Sequence, residues 1–93
     1  MLHLVAGDTD PLELDYEGED ISLWTIIARI GYPTPLEREA ALTDPAHGLA
    51  EVRWLVTDLV AGRWGAEIVT TRPGPIVKTS QEFVLDIRPP VGD

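Results

Sequence analysis

The sequence predicts an all-β protein, built as a sandwich or barrel of short strands. Apolar residues recur at every second position in several separate segments, and this alternation over about five to eight residues is typical of strands with one buried face. The chain also has 8 glycines and 8 prolines, many of them between the alternating segments. These residues fit many short connections and few helices. Both observations favour two packed sheets or one closed sheet.

Six segments carry the alternation. They are residues 2–6, 12–16, 24–30, 52–56, 64–70 and 83–87. In the fifth segment Trp64, Ala66, Ile68 and Thr70 fall on alternate positions directly after the turn pair Ala61-Gly62. Successive side chains of a strand point to opposite faces. We therefore expect the apolar positions of each segment to face a common core.

The two ends of the chain and one internal segment complete the strand prediction. Pro89 and Pro90 follow Arg88, and proline cannot donate a ladder hydrogen bond, so the last strand should end at or near Arg88. Residues 2–6 predict an outer strand, either on its own sheet or against a neighbouring subunit. Residues 35–45 are the one helical candidate, at about two turns, and we expect them to join strands rather than to support the fold.

Four aromatic residues are candidates for the core. Trp24, Trp54 and Trp64 lie on the predicted inward faces of three strands, and Phe83 lies on that of the last. A buried aromatic ring is the largest contribution that a small core can recruit. The alternative is an exposed platform that stacks on sugars. Alternation favours the core for Trp24 and Trp54, whereas both interpretations stay open for Trp64 because it directly follows the turn.

Length and charge indicate how many domains the chain has and which kinds of partner it is unsuited to bind. The 93 residues predict one domain over residues 1–93. The formal net charge is −9, and the 7 basic residues are scattered singly, so nucleic-acid binding is not expected. No apolar run approaches the ~20 residues of a membrane helix. The first ten residues do not resemble a signal peptide, and the lack of cysteine suits a reducing cytosol.

The sequence contains few residues that could form a catalytic or metal-binding site. The two histidines, His3 and His47, are far apart, and neither serine lies in a nucleophile-elbow motif, so we expect no catalytic residue, no cofactor and no transition-metal site. The acidic residues between 8 and 20 do not match the spacing of a calcium loop. We interpret them as solvated loop charges and leave a weak cation site open. An enzyme is the least favoured class.

Five short motifs follow one another along nearly the whole chain. They are Gly7-Asp8-Thr9, Leu23 with the strand TIIARI, Gly48 before AEVRWLV, Asp58-Leu59 with Gly62-Arg63-Trp64, and Thr79-Ser80 before EFVLDI. In this order they resemble the N-terminal immunoglobulin-like domain of upper baseplate proteins of tailed bacteriophages, and related small phage virion proteins. The aromatic residue of the corner is usually Tyr or Phe in that family, and here it is Trp64.

The resemblance implies a fold and a role. The fold is an immunoglobulin-like β-sandwich of seven to eight short antiparallel strands. The role is that of a non-enzymatic phage or prophage virion protein, in the tail or baseplate, the head–tail connector or the capsid surface, and made in the host bacterial cytoplasm. Its partners would be other virion proteins in a multi-copy assembly, bound through edge strands and loops. Candidate contact residues are Leu2, Leu4 and Tyr32.

The resemblance also explains the turn before Trp64. The segment containing Asp58, Leu59, Gly62 and Trp64 would form a structural corner, in which Gly62 adopts a positive backbone angle without steric cost and Trp64 packs underneath. The alternative function is a carbohydrate- or cell-surface-binding module with Trp64 or Tyr32 as its stacking platform. Glycan binding would quench tryptophan fluorescence, whereas a structural subunit would co-purify with particles.

Overall fold

The computed structural model describes residues 2–74 and 77–90. Their secondary structure is almost entirely β. In chain order the strands are β1 (Leu2–Val5), β2 (Leu12–Asp15), β3 (Thr25–Ile30), β4 (Leu36–Glu39), β5 (Ala41–Asp44), β6 (Leu49–Val52), β7 (Gly62–Arg72) and β8 (Val77–Arg88). A single turn of 3-10 helix, Pro45–His47, connects β5 to β6. No helix among these residues is long and apolar enough to cross a membrane.

The strands form two sheets. One has the order β1-β8-β7-β3-β4 and the other the order β2-β6-β5. Immunoglobulin sandwiches place strands B, E and D in one sheet and G, F and C, with C′ in variable-type domains, in the other. Strands β2 to β8 fit the letters B, C, C′, D, E, F and G in sequence. The predicted all-β immunoglobulin-like sandwich is therefore confirmed.

Two details of the sheets differ from the prediction. Strand β1 pairs with β8 in parallel, from Leu2 opposite Leu85 to Val5 opposite Arg88, whereas the other strand pairs are antiparallel. A parallel pair needs a long connection, and β1 and β8 are separated by most of the chain. Strands β7 and β8 are also longer than predicted, with 11 and 12 residues in one hairpin.

The core lies between the two sheets, and alternation identified much of it. The larger sheet contributes Ile26, Ala28 and Ile30 from β3, Ala66 from β7, and Leu85 and Ile87 from β8; the smaller contributes Ala50 and Val52 from β6. All of these are buried. Strands β3 and β6 turn every second side chain inward, as a period of two requires.

The helical prediction for residues 35–45 is wrong. The segment forms β4 and β5, which belong to different sheets, with Ala40 at the crossing between them. The Ala40 amide donates to the Ile26 carbonyl at 2.7 Å, which holds the crossing against β3. Pairing with β3 and β6 satisfies more backbone groups than an isolated two-turn helix could, so tertiary pairing overrides the good helix propensity of these residues.

The strand predicted over residues 52–56 is misplaced, because only Val52 of that segment belongs to a strand. Strand β6 ends at Val52, and Val56 is 65% exposed although it continues the apolar alternation. Trp54 is buried beyond the strand end. Trp24 likewise immediately precedes β3, so only Trp64 of the three tryptophans lies within a strand. Residues 53–56 do not continue β6 because a turn begins at Leu55, where the Asp58 amide donates to the Leu55 carbonyl at 3.0 Å.

The predictions for the chain ends are confirmed where the structure describes them. Strand β8 ends at Arg88, directly before the two prolines, and β1 is an outer strand of the larger sheet. Of the two arrangements predicted for β1, the structure has the one in which it pairs within its own chain.

Candidate functional site

The corner between β6 and β7 is organised by a buried carboxylate. Asp58 is 3% exposed, and Arg38 from β4 donates two hydrogen bonds to its carboxylate. Arg38 Nη2 donates to Oδ1 at 2.7 Å and Nε donates to Oδ2 at 2.8 Å. The backbone N–H of Leu55 donates to Oδ2 at 2.8 Å. A planar guanidinium matches a carboxylate in this bidentate geometry, so the turn is tied firmly to the edge of the larger sheet.

The surroundings keep Asp58 ionised. Burial alone would raise the pKa of the Asp58 carboxyl, but the hydrogen bonds from Arg38 and from the Leu55 amide, together with the positive charge of Arg38, outweigh it and hold that pKa below its ordinary value. The hydrogen bond from Asp58 in turn raises the pKa of Arg38. Both groups are therefore charged at neutral pH, and their ion pair fixes the loop to β4.

Tyr32 and Trp64 hold the next part of the same loop. The Tyr32 hydroxyl donates to the Asp58 carbonyl at 2.7 Å and accepts from the Val60 amide at 3.0 Å. The Trp64 indole N–H donates to the Val60 carbonyl at 2.8 Å. The two rings meet edge to face, with centroids 4.8 Å apart and planes at 88°. Burial of the Tyr32 ring raises its pKa, so the hydroxyl keeps its proton.

Trp64 makes the same kind of backbone hydrogen bond as the tyrosine of a tyrosine corner. In immunoglobulin sandwiches a tyrosine near the start of strand F bonds the backbone a few residues upstream. Trp64 is near the start of β7, which corresponds to F, and bonds the backbone four residues upstream. Tyr32 and Trp64, the two candidate stacking residues, thus use their polar atoms within the corner.

Gly62 has the positive backbone angle that the corner requires. Its φ is +139°, a region that residues with a side chain rarely adopt. A Cβ atom at this position would lie 3.1 Å from Cζ2 of the Trp64 ring. The ring therefore packs under the glycine. Leu59, which was also predicted to belong to the corner, is buried in the core.

The corner also exposes apolar side chains. Leu55 is 60% exposed, Val56 65% and Val60 49%, and all three lie within the loop that Asp58 and Tyr32 hold in place. Single exposed apolar residues are ordinary on protein surfaces. Three exposed apolar side chains stand together in this one loop, on a backbone that Arg38 holds through Asp58. We call Leu55, Val56 and Val60 the corner loop surface.

The remaining predicted residues lie elsewhere. Trp24 is half-buried at the other end of β3, where it meets the Tyr16 ring edge to face at 5.4 Å and the Arg72 guanidinium at 4.4 Å. Trp54 is buried, and its indole N–H has no hydrogen-bond partner among the described residues. The half-buried residues Phe83, Leu2 and Leu4 pack against the core. Contact of Leu2 and Leu4 with a partner stays a prediction.

The acidic loops are shaped by their own side chains. Asp8, Asp15 and Asp20 each accept a hydrogen bond from the backbone N–H two residues further on. These are Asx turns, which aspartate forms readily. Within residues 2–74 and 77–90 no group of three or more His, Cys, Asp or Glu side chains is arranged to hold a metal ion.

The sequence did not reveal the role of Arg38. The signal was present, since Arg38 falls between Leu36 and Ala40 on the alternation of an inward face. A charged residue in such a position needs a buried partner, and Asp58 supplies it. The helical interpretation of residues 35–45 concealed that alternation.

A scan against protein-family models and a search of curated proteins both found no match to this chain. The functional proposal therefore depends on the geometry of the corner and on the resemblance described above.

Proposed function

We propose that this chain is a non-enzymatic structural protein of a phage or prophage virion, which acts by contacting other virion proteins. The virion role is taken from the resemblance to the immunoglobulin-like domain of baseplate and small virion proteins. Candidate positions are the tail or baseplate, the head–tail connector and the capsid surface. The contact role rests on the chain's own geometry.

The observation that carries the contact role is the corner loop surface. Its apolar side chains stand on a turn that is already ordered by the Asp58–Arg38 pair and by the Tyr32 hydroxyl. Binding a partner there would remove apolar area from water, at about 25 cal/mol per Å², with little further loss of backbone freedom. Such pre-organisation is what makes a small contact surface effective.

The surface charge supports protein partners over nucleic acid. The net charge of −9 repels a polyanion, whereas a neighbouring protein can offer apolar or basic residues to the loop. The charge also keeps a subunit soluble before assembly.

Particles from the host that encodes the chain provide the test. We expect the chain to co-sediment with purified particles, in several copies each, after a high-salt wash. Recovery only in the particle-free fraction would overturn the virion role.

A variant pair tests the corner loop surface separately. Leu55→Ser combined with Val56→Ser should leave the melting temperature almost unchanged, because both side chains are exposed, but should deplete the chain from particles severalfold. Leu23→Ser is the matched control, since Leu23 is 78% exposed and lies beside Trp24, at the other end of the larger sheet. Equal incorporation of the two variants would contradict the assignment of this loop.

A further inference from the structure

Strand β8 has an open edge. Strand β1 pairs only with Leu85 to Arg88 of β8. The stretch 77–84 is bonded to β7 on one side, and no described strand pairs with its other side. Residues 78–82 are all exposed, so no described loop covers this part of the strand.

The direction of one hydrogen bond shows which groups point out of this edge. The Ala6 amide donates to the Arg88 carbonyl at 2.8 Å, so Arg88 presents its backbone groups away from β7. Residues two apart in a strand point their N–H and C=O groups the same way. Lys78, Ser80 and Glu82 therefore present both backbone groups to the open edge.

This edge has few of the usual defences against pairing. The stretch 77–84 has no proline or glycine, and its pairing with β7 runs without a register shift. It carries one charge of each sign, Lys78 and Glu82, at equal distances on either side of Ser80. Charges of a single sign would repel a second copy of the edge. Opposite charges placed symmetrically about one residue instead attract a second copy of the edge that runs antiparallel to the first.

We propose that two copies of this chain pair through β8, antiparallel about a two-fold axis at Ser80. Each Lys78 then lies directly opposite Glu82 of the other copy, and the two Ser80 residues lie opposite each other. The outward N–H and C=O groups of all three residues meet in hydrogen-bonded pairs. The two five-stranded sheets join into one continuous sheet, which is a closed and self-complementary interface.

Charge selects this register over its neighbours. An axis at Glu82 would place the two Glu82 carboxylates opposite each other, which is destabilising. An axis at Gln81 would place Lys78 opposite Val84 and leave both charges without an opposite partner. The axis at Ser80 forms both Lys78–Glu82 pairs. In this register the pairing between the two copies of β8 extends to Phe83, and so it ends before the residues of β8 that pair with β1.

A second copy would also relieve a repulsion within the hairpin. Glu82 lies directly opposite Glu67 of β7, and like charges in that arrangement are unfavourable. Arg29 approaches Glu67 at 3.8 Å, but neither Glu82 nor Lys78 has an ion-pair partner among the described residues. Lys78 of a second copy is the cation that Glu82 lacks.

The inference rests on the proposed contact role, because it names a second copy as one partner, but its test uses the isolated full-length chain. Sedimentation over a wide concentration range should show a monomer–dimer equilibrium. Lys78→Glu and Glu82→Lys should each weaken the dimer about tenfold or more, since each turns both cross-strand attractions into repulsions. Circular dichroism checks that each variant is folded.

Restoration of pairing is the decisive result. An equimolar mixture of the two single variants should form dimers again, and so should the doubly swapped chain, because both restore opposite charges across the axis. Glu13→Lys changes the net charge as much as Glu82→Lys. Glu13 is an exposed residue of β2, in the smaller sheet, so this variant should leave the dimer unchanged. A monomer at all concentrations, or a dimer that the single variants do not weaken, would overturn the proposal. Incorporation into particles could still hold in that case.

Discussion

Asp58 is the residue on which the corner depends most. Replacing it by Asn leaves Arg38, whose side chain is 34% exposed, without its carboxylate partner, and losing hydrogen bonds between charged groups of this kind costs about 1.5–3 kcal/mol. Urea unfolding at pH 7 measures this cost. Arg53→Gln is the matched control, because Arg53 also bonds a carboxylate at 2.7 Å but is 69% exposed, and an exposed pair contributes less than about 1 kcal/mol.

The same carboxylate predicts a pH dependence. The pKa of Asp58 is lower in the folded chain than its ordinary value, so its contribution to stability is complete above about pH 4 and is lost as the pH falls through the folded pKa. The difference in unfolding free energy between the natural chain and Asp58→Asn should therefore shrink on acidification. A difference that stays constant down to pH 2 would contradict the ionised pair.

Gly62 sets the backbone angle of the corner. Gly62→Val forces a branched side chain to a φ of +139° and into the Trp64 ring, which should cost at least about 2 kcal/mol and lower Tm by roughly 8–16 °C. Gly65→Val is the control, because Gly65 is in the same strand, has no positive φ and has open space around its Cβ position. Thermal unfolding that is equally affected in both variants would show that the corner has no special geometry.

These residues also show what sequence could predict at this scale. The turn at Gly62 was predictable from the local pattern of a glycine before an alternating segment, whereas the packing of Trp64 under it was implied by the family resemblance. Arg38 and Tyr32 were not assigned to it, since they come from 20 and 26 residues upstream, and only the pairing of β3 with β4 and β7 brings them to Asp58.

At the scale of elements, alternation predicted the strands that have one clearly apolar face. Strand β3 and the segments 64–70 of β7 and 83–87 of β8 pair with neighbours, and their predicted inward positions are buried or half-buried. It failed for β4 and β5, whose short segments contain good helix formers. It also placed the sixth strand over residues 52–56 rather than 49–52, because Trp54 and Val56 continue an apolar pattern that the turn at Leu55 interrupts.

Strand β1 gives a prediction for amide exchange in the isolated chain. The parallel register places the amides of Leu4 and Ala6 toward β8, where the Ala6 bond to Arg88 is 2.8 Å, and leaves those of His3 and Val5 facing outward. Leu4 and Ala6 should therefore exchange more slowly than His3 and Val5. Fast exchange at all four positions would mean that β1 does not pair within its own chain.

At the scale of the whole molecule, the chain is a small acidic sandwich with two exposed surfaces, an apolar loop and an unpaired strand edge. The corner loop surface is held by an ion pair and two aromatic rings at one end of β7. The open edge of β8 lies further along the same hairpin. Together they would let one subunit contact a second copy and a different neighbour at the same time, as a multi-copy assembly requires.

Electron cryomicroscopy of particles purified from the encoding host tests the central claim most directly. We expect repeated density for the sandwich, with Leu55, Val56 and Val60 of the corner loop surface against a neighbouring protein. Particles that lack the chain, or that contain it with this loop facing solvent in every copy, would contradict the account.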